Sequence, residues 1–347
     1  MISSVSALPT HLKKGYQLGK NLRNHLNTSN ESSRTFSKIY VGGMGGSAFP
    51  AEIARLLTNQ AGVPLDICRN YRFSLPLDEH TLVCLCSFSG NTEETLSLLD
   101  QVLQIRKKEG TQIECVVLTS GGLLLAKARQ HALPCIVFEK PSKTFQPRAA
   151  SGLFLGALVW IFQYFFPSFD PPLWSETIED LSSYFTNAPL DSHFQEQVQR
   201  YTNALHKRIP IFYAPTPLGS ALAQVLKIKI NENAKSPAFW NELPEYNHNE
   251  LAGFTHTPSL FKPVFLKPPF SWISPPMNRR FDASLHVLKE AGHDPLMVEI
   301  QDSLTLWGSC LKTYYLFDFI SCELALKLDE NPNPVHLIES FKGLLKS

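Results

Sequence analysis

Two stretches hold residues whose types and spacing suit the binding of a compact anion. The first is Gly42-Gly43-Met44-Gly45-Gly46-Ser47, with four glycines in five positions ahead of a serine. Glycine lets successive backbone N–H groups converge on one point, and a helix starting there adds its positive end. Taken alone this run is ambiguous. Gly43-x-Gly45-x-x-Ala48 also fits a dinucleotide fingerprint, and the whole also fits a plain tight turn. The second stretch is Ser87-Phe88-Ser89-Gly90-Asn91-Thr92-Glu93-Glu94-Thr95. It crowds four hydroxyls and an amide into nine residues. A dinucleotide fold has no use for such a cluster. A phosphate monoester does, because its oxygens accept several hydrogen bonds at once from hydroxyls and amides. The same donors would also cap a helix, with Glu93 and Glu94 suited to its first turn. The dinucleotide reading weakens further at the next run, Val63 to Cys68, where Asp66 sits inside and not at the end where a ribose partner belongs.

These loops need rigid elements behind them. Strand-like runs at Ser37–Val41, Val63–Cys68, Thr81–Cys86, Ile113–Leu118 and Pro134–Phe138 alternate with helix-like segments. Such alternation, with nearly continuous apolar strands, predicts a parallel sheet covered on both faces. Ligands of such sheets bind beyond the carboxyl ends of the strands, where both loops fall. A second half repeats the plan more faintly. Ile209–Tyr213 reads as a strand, and Gly219-Ser220-Ala221 stands where Gly46-Ser47-Ala48 stands in the first half. Its Pro215 stands where the first loop has Gly42, so it wraps an anion less closely. The proline-rich stretch 257–280 reads as an irregular connection, and Asp318–Lys327 and Pro334–Leu345 as C-terminal helices. The expected organisation is a helical extension over 1–36, an α/β domain with the anion loops over 37–188, and a second α/β domain with C-terminal helices over 189–347.

Composition narrows the function classes. A net charge of +1 supplies no field to draw nucleic acid or an anionic membrane. The seven cysteines form no C-x-x-C pair and sit mostly in apolar runs, as buried free thiols do in a reducing compartment. Cys84 and Cys86 share one face of a strand and read as core. The start, MISSVSALPTHLKKGYQ, lacks a basic segment followed by an apolar one, so no signal peptide is expected. The longest apolar run, Gly152 to Phe166, is interrupted by Gln163 and reads as a buried helix too short to span a bilayer. A cytoplasmic protein with no nucleic-acid or membrane partner is the expectation.

Four blocks together, GMGGS, SFSGNTEET, PRAA and NENAKSPAFWNELPEYNHNE, strongly resemble the bifunctional phosphoglucose/phosphomannose isomerase family. Members of that family consist of two sugar-isomerase (SIS) domains, parallel-sheet three-layer sandwiches of like plan. The resemblance runs from about residue 38 to the C-terminus, with weaker stretches at 160–205 and 255–310. It implies that Gly46, Ser47, Ser87, Ser89 and Thr92 hold a sugar phosphate. It further implies Glu232 as catalytic base, His248 as the ring-opening histidine, Arg148 as the arginine beside the intermediate and Lys342 as the C-terminal lysine that assists ring opening. The implied substrates are glucose 6-phosphate, fructose 6-phosphate and mannose 6-phosphate, in a homodimer without cofactor or metal.

The chemistry of such an isomerisation matches those residue types. A proton moves between C2 and C1 through an enediol, which needs a carboxylate to take and return it. The enediolate needs a cation as its charge develops. Opening the pyranose ring needs an acid/base near neutrality, which histidine supplies. A competing reading is a non-catalytic SIS-type regulator that senses sugar phosphate. It has no use for Glu232, His248 and Arg148 together, and the first 37 residues are too short for a helix-turn-helix. An amino-sugar phosphate enzyme fed by glutamine is a third, and the start Met1-Ile2-Ser3 lacks the cysteine it would use. Two departures from the family pattern stand out. Phe49 follows Ser47-Ala48 where a small residue is usual, which would narrow the approach to the phosphate, and Asn333 stands where many relatives have threonine, which bears on the mannose epimer.

Overall fold

In the computed structural model, residues 5–23, 35–140, 145–256 and 260–345 are described. The chain divides into two units, Ala7–Glu179 and Asp180–Ser347, with residues 5–6 joined to the latter. The division falls inside a helix at Trp174–Asn187, nine positions before the 188/189 boundary expected from the sequence.

The first unit is built on strands β1 (Lys38–Gly43), β2 (Leu65–Cys68), β3 (Thr81–Ser87), β4 (Glu114–Thr119) and β5 (Cys135–Val137). All pair in parallel in the order β2-β1-β3-β4-β5. These are the five runs read from the sequence, shifted by a residue or two at their ends. Tyr40, Val83, Leu85, Cys115 and Val117 stand at alternate strand positions and pack on one face. Their partners are Leu98, Leu99 and Val102 of α3 (Glu93–Glu109) and Leu124 and Ala128 of α4 (Gly122–Gln130). The intervening Ile39, Val41, Leu82, Cys84, Cys86, Val116 and Leu118 are buried as well. Burial on both faces is why these strands read as unbroken apolar runs.

Helix α1 (Leu8–Leu22), expected as part of an extension, packs against α5 (Ser151–Phe165) within this unit. Glycines set the close approach: a Cβ on Gly15 would lie 2.1 Å from the carbonyl oxygen of Leu153, and one on Gly156 2.1 Å from that of Leu12. The helical run that holds α5 is longer than the sequence suggested, because a 3₁₀ turn at Pro147–Ala150 leads into it. Pro147–Phe165, 19 residues, is long and apolar enough to cross a membrane by length and composition, and 72% of that window is buried in the structure.

The second unit carries β6 (Ile209–Pro215), β7 (Phe239–Leu243), β8 (Phe261–Lys267) and β9 (Leu296–Glu299), again all parallel, in the order β7-β6-β8-β9. Its order repeats that of β2-β1-β3-β4, so the faint internal repeat is real architecture. Strand β8 corrects the sequence reading, which made 257–280 an irregular connection. Pro263 misled that reading, since proline cannot donate to a ladder. In the structure β9 joins only from Val264 onward, so Pro263 is flanked by β6 alone and its missing N–H costs no pairing on the other side. The helices that matter below are α2 (Phe49–Gln60), α6 (Trp174–Asn187), α7 (Ser192–Leu205), α8 (Gln224–Asn233), α9 (Pro275–Glu290), α10 (Leu306–Lys327) and α11 (His336–Leu344).

Candidate active site

Strand β1 runs into a 3₁₀ turn at Gly45–Ser47 and then into α2. Gly45 has φ +49°, a left-handed value that a side chain would resist. Ser47 is buried, and its Oγ accepts a hydrogen bond from the backbone N–H of Phe88 at 3.1 Å, which ties this turn to the one after β3. Strand β3 ends on Ser87, also buried. Its Oγ accepts from the Gly90 N–H at 3.1 Å and shares a hydrogen bond with Thr92 Oγ1 at 2.9 Å. Thr92 occupies the N-cap position of α3, yet its side chain makes no capping bond. The capping role read from the sequence is therefore not filled by Thr92, whose hydroxyl is engaged by Ser87. The first-turn N–H groups of α3 have no partner inside the helix. Ser89 is exposed, with its Oγ accepting from the Asn91 N–H at 3.2 Å. Asn91 serves the neighbouring helix instead: its Oδ1 accepts from the Leu123 N–H at 3.0 Å in the first turn of α4.

Glycine backbones bring a third turn and the arginine to the same place. A Cβ on Gly122 would lie 2.5 Å from the Ser89 carbonyl oxygen, so the turn after β4 presses on the second loop. A Cβ on Gly46 would lie 2.7 Å from the Cα of Arg148. The 3₁₀ turn that bears Arg148 thus backs onto the first loop. Gly46, Ser47, Ser87, Ser89, Thr92 and Arg148 are all gathered at the carboxyl ends of β1 and β3. Those two strands flank the switch point of the sheet, where the chain's direction of winding reverses. Hydroxyls and turn N–H groups are donors that an anion takes, and the Arg148 guanidinium donates to Gln146 Oε1 at 3.4 Å beside them. Phe49 is buried in the first turn of α2.

Sequence reasoning missed a charged cluster beside the first loop. Glu52, in the first turn of α2, is 1% exposed and pairs with both Arg55 and Arg69, the latter at 2.6 Å. Arg69 directly follows β2. Two guanidinium groups on one carboxylate leave the cluster net positive, and they compensate the burial of that carboxylate. An acidic residue inside an apolar helical pattern was the one available signal.

The remaining expected residues lie in the second unit, on three different elements. Glu232 is half-buried in the last turn of α8. Lys235, at φ +57°, donates to the backbone carbonyls of Glu232, of Asn233 at 3.3 Å and of Pro332 at 3.4 Å, which suits a cation to a helix C-terminus. Helix α8 is locked to α10 by Lys229–Asp318 at 2.5 Å and by Asn233 Nδ2 donating to Ser321 Oγ at 2.9 Å. His248 closes a 3₁₀ turn at Glu245–His248 and is exposed. Lys342 is exposed on α11.

The turn after β6, equivalent to the first loop, is occupied by the chain itself. Glu242 Oε2 accepts from Thr216 Oγ1 at 2.8 Å, and a Cβ on Gly219 would lie 2.2 Å from Glu242 Oε1. The poorer fit for an anion expected from Pro215 has this carboxylate as a second cause.

Comparisons with known proteins agree with this fold. Residues 194–345 match the family model described as the bacterial phospho-glucose isomerase C-terminal SIS domain. A bifunctional phosphoglucose/phosphomannose isomerase of Caldicellulosiruptor bescii is 30% identical, over 99% of this chain and 98% of its own length. A D-glucosamine-6-phosphate 4-epimerase of Sulfolobus acidocaldarius is 31% identical, over 63% of this chain and 64% of its own. Among solved structures, the tagatose-6-phosphate ketose/aldose isomerase of Escherichia coli superposes with a TM-score of 0.68 at 15% identity, covering 95% of this chain and 93% of that one.

Proposed function

Because the chain belongs to the bifunctional phosphoglucose/phosphomannose isomerase family, a family of two SIS domains, we propose that it interconverts glucose 6-phosphate and fructose 6-phosphate, and mannose 6-phosphate and fructose 6-phosphate, through an enediol. The observation that carries this reading is the gathering of anion donors at the switch point of the first sheet. There Ser47 and Ser87 are buried with their hydroxyls ordered, and Gly46 is pressed onto Arg148. Hydroxyls and turn N–H groups gathered in this way suit a phosphate monoester. The sugar beyond the phosphate would meet Arg148, whose cation stabilises the enediolate as charge develops. Glu232 takes the proton from one carbon and returns it to the next. His248, assisted by Lys342, opens the ring beforehand.

The enzyme acts without cofactor or metal, as a cytoplasmic homodimer with His248 reaching the partner's site. Support for the dimer is the family resemblance alone, since members of the family are usually dimers, and sedimentation of the purified protein tests it. The two units correspond to the two SIS domains, with α1 part of the first.

The Sulfolobus relative favours a second reading, since it matches at similar identity under a different activity, on an amino-sugar phosphate. A coupled assay with each hexose 6-phosphate and with glucosamine 6-phosphate, chelator present and nothing added, separates the two. Turnover of glucose 6-phosphate to the ketose is the expected result. Turnover of glucosamine 6-phosphate alone would replace the first reading with the second. Binding of fructose 6-phosphate without any conversion would make the chain a sensor.

A further inference from the structure

The segment that carries His248 is pinned on every side except that of the histidine. Tyr246, two residues before it, is fully buried, with its ring 4.3 Å from that of Tyr213 and packed on Phe265 and Phe254. Asn247 reaches α9: its Nδ2 donates to Ser284 Oγ at 2.8 Å, and its Oδ1 accepts from Arg280 Nη1 at 3.3 Å. Glu250, two residues after, is held by two donors. The hydroxyl of Tyr213 donates to Oε1 at 2.5 Å, and Asn241 Nδ2 donates to Oε2 at 2.5 Å. Tyr213 lies on β6 and Asn241 on β7, paired directly across the sheet, so the carboxylate is anchored to two strands of the second sheet. Burial pushes the Tyr213 phenol far up, and the Glu250 carboxylate beside it adds to that, so the phenol stays a donor. His248 itself is exposed between these anchors.

A turn of polar residues on a protein surface ordinarily moves more freely than the elements it joins. Here its neighbours bond to two strands and a helix, which is how a reacting side chain is held to the tolerance its chemistry needs. Accordingly, we infer that Tyr213 and Glu250 are positioning residues that fix the backbone under His248 in the orientation for ring opening. This rests on the catalytic reading of His248 given above.

A double-mutant cycle tests it. Tyr213→Phe keeps the buried ring and removes only the donor, and Glu250→Gln keeps the shape and removes the charge. Each lowers kcat for glucose 6-phosphate by about tenfold, with KM held within about twofold, because a displaced catalytic group costs rate more than binding. In a His248→Ala background neither change lowers kcat further, since the group they position is gone. Amide hydrogen exchange across 245–250 rises in both variants and locates the effect where the structure puts it. Tyr213→Phe losses that persist undiminished on top of His248→Ala would overturn the positioning role and leave the histidine's role standing. A normal kcat in His248→Ala alone would remove the histidine's role and the inference with it.

Discussion

Gly46 lies against the backbone of Arg148, close enough that a Cβ on the glycine would stand 2.7 Å from the arginine's Cα and 3.2 Å from its Cβ. About a hundred residues of sequence separate them, and their contact joins the turn after β1 to the 3₁₀ turn that bears Arg148. Gly46→Ala must push the two turns apart. The expected outcome is a loss of about a hundredfold in kcat/KM, the scale of a misplaced catalytic group. Steady-state kinetics with glucose 6-phosphate read it directly, and unchanged kinetics would show that the contact is dispensable.

The hydroxyls of the second loop differ in their surroundings, and their variants should differ too. Ser87 is buried and bonds both Thr92 and the Gly90 N–H. Ser87→Ala takes away the hydroxyl partner of Thr92 and one of two acceptors of that N–H, which keeps the Ser87 carbonyl oxygen at 3.2 Å, and so costs about 0.5–1.5 kcal/mol of stability besides weakening phosphate binding. Ser89 is exposed, so Ser89→Ala raises KM with kcat retained, as for a contact made equally in ground and transition states. Thermal melts and kinetics on both variants check this contrast; a Ser89→Ala enzyme with lowered kcat at unchanged KM contradicts it.

Glu232→Gln should bind fructose 6-phosphate normally and turn over about 10²–10⁴ times more slowly, the contribution of one general base. Calorimetry supplies the binding and the coupled assay the rate. Wild-type turnover would move the base elsewhere.

Thiol reactivity follows from burial. Desolvation pushes the Cys115 thiol up to about 12 and that of Cys310 likewise to about 12, from an ordinary 9.0. The folded protein keeps those protons while the unfolded chain gives them up, so it is the unfolded state that gains from alkaline pH. Their stabilising contribution is full below pH 9.0 and is lost as pH climbs toward about 12. Denaturant melts should therefore shift to lower midpoints over that window. A disulfide-exchange reagent at pH 8 should label these two sites only after unfolding; rapid labelling of the native protein would contradict their burial.

Much of the first unit could be read from the chain alone. Its inner strands β1, β3 and β4 are buried on both faces, and each is followed by its helix within a few residues, so local pattern and final structure coincide there. The second unit was harder. Pro263 hides β8 because the permission for a proline there comes from where β9 starts to pair, a fact about another strand. Strand β7 lies in a segment whose polar residues are used for Glu250 and Thr216, which a period-two pattern does not reveal.

The sequence by itself determined the residue types of the site: glycines and hydroxyls at two strand ends, and Arg148, Glu232 and His248 in blocks whose order marks the family. Tertiary structure alone decided which of these touch. Gly46 meets Arg148, Ser47 meets Phe88, Glu52 gathers two arginines and Glu250 is bound by Tyr213 of β6. The reason is that side-chain types are written locally. Contacts between residues far apart in the chain depend on how strands are ordered in a sheet and how closely backbones approach, and no single segment encodes either.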